Sequence, residues 1–278
     1  MTLMQQKVAA VTVIIPCYRC AKSILRAVNS VVKQTLMPAE IVLVDDASGD
    51  DTLSLLQNLE HTYPNLIKVI SLSENVGAAC ARNTGWAQAT QPYIAFLDSD
   101  DTWHPKKIEI QYAFMNAHPL VVLCGHAHHM HTHMQYDSIL DGGLDDWKVE
   151  NISKVALLFS NKFITPSVMI KSNIRQRFIS GQRYMEDHML WLSIIYGGGE
   201  VVKLSAKLAV IYKDSFGASG LSSDMWAMEK SELGNYWSLY KSKNIGFISV
   251  VVLSLYSFAK YLRRLLIASI RHKTFVKN

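Results

Sequence analysis

Acidic side chains stop at Glu232: the rest of the chain holds eight Lys and Arg and not one Asp or Glu. Other things are scarce as well. Four cysteines in 278 residues exclude a disulfide framework, and Cys17-x-x-Cys20 lacks the second C-x-x-C of a zinc site, so these thiols read as buried or incidental. No G-x-G-x-x-G follows the first apolar run and no G-x-x-x-x-G-K-[ST] occurs anywhere. Dinucleotide and P-loop binding thereby lose their main support. The apolar run inside Met1–Pro16 has no cleavage-site pattern, so it reads as a first strand rather than a signal peptide, with a reducing cytoplasm as the expected compartment. The uncharged stretch Ile245–Ala259 has 15 residues, short of the roughly 20 that cross a bilayer as a helix.

What is present bounds the rest. A hydrophobic share of 49% with 18% charged residues marks a globular chain, long enough for one large or two small domains. Taking the eight tail cations from the 28 basic residues leaves 20 against 23 acidic, a net of −3 for residues 1–232. The overall charge of +5 therefore belongs to the tail. That points to an anionic surface touched by the tail and not to a nucleic-acid-binding body.

Val11–Ile15, Glu40–Val44, Leu66–Leu72 and Tyr93–Leu97 are apolar runs of strand length. Ala21–Thr35, Thr52–Leu59 and Ala78–Ala89 place apolar residues at helical spacing between them. Four such alternations with short connections predict an α/β fold with a mostly parallel sheet, whose ligands bind beyond the carboxyl ends of the strands. Three of the four strands run into polar signatures there: Pro16-Cys17-Tyr18, Asp45-Asp46 and Asp98-Ser99-Asp100-Asp101. Three carboxylates within four positions repel one another unless positive charge is shared. A divalent cation holding a diphosphate suits such hard oxygen ligands. The plainer reading is a polar turn, with Asp101 or Thr102 capping a helix and Pro105 in its first turn.

Leu120–Cys124 reads as a further strand leading into Gly125–His133, which holds five of the ten histidines. On a strand His129, His131 and His133 would share a face, yet neither zincin spacing nor a cysteine pair accompanies them, so a polar strand or loop near the site is preferred. Ile164–Ile170 reads as an edge strand containing Pro166. Glu186-Asp187 opens a helix through Ile195. Acids there are stabilised by the helix dipole, or serve as a general base above the sheet; position alone leaves both open. Trp226–Lys241 reads as an amphipathic helix. Beyond it Lys260, Arg264 and Arg271 fall on one helical side with Arg263 beside them, which predicts a basic amphipathic helix on an anionic membrane surface, residues 245–273.

Taken together, Val13–Tyr18 (VIIPCY), Val42–Asp50 (VLVDDASGD), Glu74–Gly85 (ENVGAACARNTG), Phe96–Asp101 (FLDSDD) and Glu186-Asp187 resemble the family 2 glycosyltransferases with the GT-A fold. The likeness is dense over about residues 8–125 and thin to about 225. It implies a Rossmann-like α/β/α sandwich with a mostly parallel central sheet plus C-terminal helices. Residues 1–225 would be the glycosyltransferase domain, with 1–125 the nucleotide-sugar half and 126–225 the acceptor and base half. Residues 226–278 would be a basic, helical, membrane-associated tail.

The resemblance also implies roles. Pro16 and Tyr18 would line the base pocket, and Asp46 would hydrogen-bond the base. Asn75 and Gly77 would lead to Arg82, which would face that pocket or the phosphates. Asp98 would contact the ribose or the metal, and Asp100 would bind Mn²⁺ or Mg²⁺. Asp187 would be the base, with Glu186 the second candidate and Trp191 near the acceptor. The glycines and serines of Tyr212–Ser223 resemble a loop closing over the donor, and residues 126–150 and 205–225 would be loops shaping specificity. The implied reaction is inverting transfer from a nucleotide-diphosphate sugar, most simply a UDP-sugar, to a polyprenyl-diphosphate-linked saccharide of O-antigen, capsule or exopolysaccharide assembly. It would run on the cytoplasmic side of a bacterial inner membrane, with the protein peripheral. A nucleotidylyltransferase would want a glycine-rich basic loop after the first strand, which Pro16–Cys20 does not supply. A non-catalytic nucleotide-sugar-binding or scaffold protein would not need Arg82, Asp98, Asp100 and Asp187 together.

Overall fold

The computed structural model describes residues 8–130, 144, 146–212 and 224–275. Strands β1 (Val8–Cys17), β2 (Met37–Asp45), β3 (Ile67–Ser71) and β4 (Tyr93–Phe96) pair in parallel in the order β3-β2-β1-β4. Helices α1 (Ile24–Val32), α2 (Thr52–Thr62) and α3 (Ala78–Gln88) connect them, and α4 (Lys107–Ala117) follows β4 and the short β5 (Thr102–Trp103). Val11, Val13 and Ile15 of β1 meet Ala27, Leu56 and Ile108 on one side of the sheet. Ile14 meets Trp86 on the other. Burial on both faces is why β1 reads as an unbroken apolar run instead of an alternating one.

The sheet continues through β8 (Met169–Lys171), β6 (Val121–Met130) and β9 (Glu200–Ile211), giving nine strands in all among the described residues. β8 is antiparallel to β4 on one side and to β6 on the other. The expected edge strand over 164–170 is therefore wrong in two respects. Thr165–Ser167 is a 3-10 turn, where the proline lacks no needed donor, and the strand that follows is internal. β9 also overturns the expectation of loop from residue 205, since the strand runs on to Ile211. β7 (Val149–Asn151) pairs with its start and β5 with its end.

The second helical layer holds α3, α5 (Lys154–Phe159), α6 (Glu186–Tyr196), α7 (Met225–Lys241) and α8 (Phe247–Phe275). Gly85 sets how closely α3 approaches: a Cβ there would stand 2.6 Å from Ile14 Cγ2 and 3.2 Å from Val44 Cγ2.

The terminal helices depart from expectation. Lys260 pairs with Glu232 at 2.8 Å and Arg264 with Glu229 at 3.2 Å, both acids lying on α7 and buried. Val250, Leu253 and Ser257 are buried on the same side. The face that α8 turns to solvent is apolar: Ile248 is 79% exposed, Leu255 68% and Leu266 65%. Two of the cations expected to face outward instead neutralise carboxylates that would be costly to bury alone. No described helix is long and apolar enough to cross a membrane.

Candidate active site

The carboxyl ends of β1, β2 and β4 open onto a cleft of about 330 Å³. Its walls include Pro16, Tyr18, Asp46, Arg82, Asp98 and Asp100. The structure thus brings six of the expected site residues to one place.

Asp45 and Asp46, adjacent in sequence, do different work. Asp45 is a folding residue: Ser48 Oγ donates to its Oδ1 at 2.5 Å, within a turn where Ala47 and Gly49 have φ of 53° and 67°. Ser48 is then fixed to the next loop, with the Arg19 backbone N–H donating to its Oγ at 3.1 Å. Asp46 anchors the segment before α3. The N–H groups of Val76 and Gly77 donate to its two carboxylate oxygens at 2.8 and 2.9 Å, and Asn75 Nδ2 donates to its carbonyl at 3.1 Å. Asn75 and Gly77 therefore act on the site through Asp46. A carboxylate has about four lone-pair sites, so these two bonds leave Asp46 able to accept from a ligand N–H at the cleft wall.

Arg82 is the hub. It is 5% exposed and donates to Asp98 Oδ1 at 2.7 Å and to Glu186 Oε1 at 3.0 Å. The Phe178 ring lies 5.4 Å from its guanidinium carbon, while its Nε finds no partner among the described residues. Burial disfavours its charge, but the two carboxylates outweigh that and raise its pKa. The ends of β4 and of α6, separated by nearly ninety residues of chain, are joined through this one side chain.

Asp98, Asp100 and Asp101 each bring a carboxylate oxygen within 4.8 Å of the others. The plainer reading of this turn had Asp101 or Thr102 capping a helix. Instead α4 begins at Lys107, and the buried Asp101 accepts from the Tyr212 N–H at 3.1 Å. The end of β9 is thereby held against the acidic turn. Arg26 holds it from outside, donating to the Asp100 carbonyl at 2.6 Å with its guanidinium 3.8 Å from the Tyr212 ring centre. An all-oxygen donor set of this kind fits a hard divalent cation such as Mg²⁺ or Mn²⁺ and poorly fits a soft one.

Glu186 and Asp187 open α6 after Met185, whose φ of 55° turns the chain sharply into the helix. Asp187 Oδ1 accepts from the His188 N–H at 2.6 Å, and Oδ2 from Asn161 Nδ2 at 3.1 Å. Asn161 was not anticipated, and no motif around it would have marked it. Burial pushes the carboxyl of Asp187 above its ordinary range, with the His188 N–H and Arg82 opposing. Burial raises Glu186 also, against the pull of Arg82. Trp191, expected near the acceptor, is fully buried beside Phe163 and Phe178 in the core, because α6 turns that position inward.

Of the histidine run, His126, His128 and His129 lie on β6, and His126 is buried with Nδ1 against the Ala127 carbonyl at 2.7 Å. His131 and His133 lie outside the described residues, as does the expected closing loop beyond Tyr212.

The fold is that of GT-A glycosyltransferases. TarS of Staphylococcus aureus, solved in complex with UDP-GlcNAc, superposes with a TM-score of 0.63 at 20% identity, covering 81% of this chain and 66% of that one. The mannosyltransferase PcManGT of Pyrobaculum calidifontis, solved with GDP-Man and Mn²⁺, gives 0.60 at 16% identity over 95% and 76%. The profile described as Glycosyl transferase family 2 matches residues 12–139. The Escherichia coli protein WfaP, named UDP-Glc:alpha-D-GlcNAc-diphosphoundecaprenol beta-1,3-glucosyltransferase, is 30% identical over 193 residues, covering 68% of this chain and 71% of that one. The chain belongs to glycosyl transferase family 2. Against two other curated relatives the match is 42–44% identical but spans only 30% and 41% of their lengths.

Proposed function

We propose that this protein is an inverting glycosyltransferase that moves a sugar from a nucleotide-diphosphate donor, most simply a UDP-sugar, to a hydroxyl of a polyprenyl-diphosphate-linked saccharide. The observation that carries the reading is the Arg82 bridge: Arg82 and Asp98 line the cleft, and the same guanidinium that binds Asp98 also binds Glu186, next to Asp187. Support for the donor comes from TarS and PcManGT, solved with UDP-GlcNAc and with GDP-Man. Support for the acceptor comes from the name of WfaP.

In this reading Pro16 and Tyr18 border the base and Asp46 accepts from it. Asp98 and Asp100, with Asp101 behind them, would hold Mn²⁺ or Mg²⁺. Bound there, the metal supplies Lewis-acid stabilisation of the departing diphosphate and a template for its oxygens. Arg82 adds positive charge at the same edge and keeps Asp98 from turning away. Asp187 takes the proton from the acceptor hydroxyl as the oxygen attacks the anomeric carbon from the face opposite the leaving group, so one displacement inverts the configuration. One feature favours Asp187 over Glu186 as base: the Glu186 carboxylate is tied to Arg82, whereas Asp187 is held by an amide and a backbone N–H. Burial raises the pKa of both toward working pH, where a general base is most effective.

Residues 1–225 would form the catalytic domain and 226–278 a tail that lies on the cytoplasmic leaflet of a bacterial inner membrane. The apolar outer face of α8 would enter the headgroup boundary, with Arg263 at its margin. The decisive experiment incubates the protein with a panel of nucleotide sugars and Mn²⁺ or Mg²⁺ and follows donor hydrolysis. Metal-dependent release of nucleoside diphosphate from one donor is expected. No release and no binding from any donor would end the reading.

A further inference from the structure

The last turn of α5 is held by three other helices at once. A helix leaves its final carbonyls without intrahelical donors, and α5 is only six residues long. His188 Nε2 of α6 lies 2.8 Å from the Leu157 carbonyl oxygen, and the Tyr236 hydroxyl of α7 lies 3.2 Å from that of Leu158. Lys260 Nζ of α8 donates to the Phe159 carbonyl at 3.3 Å. The same ammonium is bound to Glu232 at 2.8 Å, so α7 fixes where it sits. The Phe159 ring packs edge-on against Tyr256, one turn earlier on α8, with ring centres 5.0 Å apart. Of the two cations that α8 turns inward, Lys260 reaches α5, while Arg264, one turn on, pairs with Glu229 of α7 at 3.2 Å.

Two residues past Phe159 the chain meets the Glu186-Asp187 pair. Ser160 leaves the helix in an extended conformation. Asn161 Nδ2 then donates to Asp187 Oδ2 at 3.1 Å, and Asn161 Oδ1 accepts from the Phe163 N–H at 3.2 Å. A backbone N–H can only donate, so this second bond settles which way the amide faces and turns its NH2 toward the carboxylate.

We propose that Lys260 is a positioning residue for the general base: by capping the end of α5 it holds Asn161 against Asp187, so the terminal helix sets the chemistry of the cleft besides anchoring the protein. The role of Asp187 as base rests on the transfer function proposed above, whereas the link from α8 to Asn161 does not. A cation at a helix C-terminus is favourable, and this one binds the last helical carbonyl before the chain turns out toward Asp187. Without it that carbonyl turns to water and the Asn161 turn relaxes. Asp187 then keeps the His188 N–H at one oxygen but loses the donor that fixes the other. A carboxylate free to swing is less often aimed at the acceptor oxygen, so rate is lost. The residues assigned to the nucleotide base stand at the ends of β1 and β2, so donor affinity is kept.

The test uses the full-length protein with Mn²⁺ and the nucleotide sugar it hydrolyses fastest, UDP-glucose being tried first; water is then the acceptor whose proton Asp187 takes. Lys260→Met alone would strand the Glu232 carboxylate, so it is combined with Glu232→Gln. Arg264→Met with Glu229→Gln is the matched control on the same two helices. The Lys260 pair should lower kcat about tenfold or more, since misplacing a reacting group by about 1 Å can cost about 10²-fold. KM for the donor and Kd for UDP should stay the same, and the control pair should leave all three unchanged. Asn161→Ala should lower kcat alike, and adding it to the Lys260 pair should cost little more, because changes acting through one contact do not add. Amide exchange followed by mass spectrometry should quicken in the peptide around Phe163, whose N–H bonds Asn161, in the Lys260 pair and not in the control. Losses that multiply, an equal loss in the control pair, or unchanged exchange at Phe163 would each overturn the proposal. If the unmutated protein hydrolyses no nucleotide sugar, the transfer function and the role of Asp187 fall together, and the exchange result alone decides whether α8 holds Asn161.

Discussion

Replacing Arg82 by Met keeps much of the side chain's length and removes its charge, leaving the Asp98 and Glu186 carboxylates without the cation that both bind. Breaking a buried ion pair from one side costs about 3–5 kcal/mol. Asp98 and Glu186 are 19% and 14% exposed, so water relieves part of the cost, and the low end, about 3 kcal/mol, is expected here. For a chain of this size that corresponds to a fall in Tm of about 5 °C. The pH dependence gives a sharper test. Glu186 and Asp187 already lie above the ordinary carboxylate range through burial, and Arg82 pulls both down, so without it both climb further. A carboxyl with a folded pKa above its unfolded one stabilises the protein below the unfolded value, about 4, and loses that stabilisation as pH rises through the folded value. The Tm deficit of Arg82→Met should therefore be largest at pH 8 and shrink toward pH 5. Adding Asp98→Asn and Glu186→Gln should recover most of it, since an uncharged trio carries no unpaired charge. Thermal unfolding by circular dichroism at the two pH values decides the matter. A shift under about 2 °C at pH 8, or a deficit that grows on acidification, would falsify the account of Arg82 as an electrostatic strut.

Further outcomes are expected. Asp187→Asn should lower turnover by about 10²-fold or more, the usual contribution of a placed base. Glu186→Gln should act mainly through Arg82, and rates read under saturating donor separate the two. Asp100→Asn should weaken Mn²⁺ binding, measured by calorimetry, together with transfer, while leaving the circular dichroism spectrum intact. Gly85→Ala should destabilise by about 1–3 kcal/mol through overpacking, because Ile14 and Val44 leave no room for the added methyl; a denaturation midpoint equal to the parent's would contradict the close approach of α3. Ile248→Ser with Leu255→Ser and Leu266→Ser should leave Tm unchanged, these side chains being largely in solvent, yet reduce flotation with phospholipid vesicles.

The first half of the sheet was legible because buried strands are written as largely apolar runs, and three of the four ended in a polar cluster that marked the ligand edge. The second half was harder for physical reasons. β8 has three residues and follows a proline, so it carried the look of an edge while lying inside the sheet. β9 does show a partial alternation, with Lys203, Ser205 and Lys207 more exposed than their buried neighbours, and its signal was available but went unread. The cap reading of Asp101 or Thr102 fails because the partner of Asp101, the Tyr212 N–H, lies more than a hundred residues away. Asn161 carried no signal at all: an isolated asparagine after a short helix gains meaning only when Asp187 is seen beside it. Helical periodicity put Lys260 and Arg264 on one side of α8, but it could not say that Glu229 and Glu232 would draw them inward.

That inward pull has a practical corollary for how the protein would hold to a bilayer. Lys260 and Arg264 already neutralise carboxylates within the fold, so they contribute little surface potential for anionic lipids to meet, and what the described part of α8 presents is mainly hydrocarbon with Arg263 beside it. Attraction of that kind ignores ionic screening and responds to gaps between headgroups. Washing membranes with concentrated salt should leave the protein in place, tight lipid packing should exclude it, and a mild detergent should lift it off.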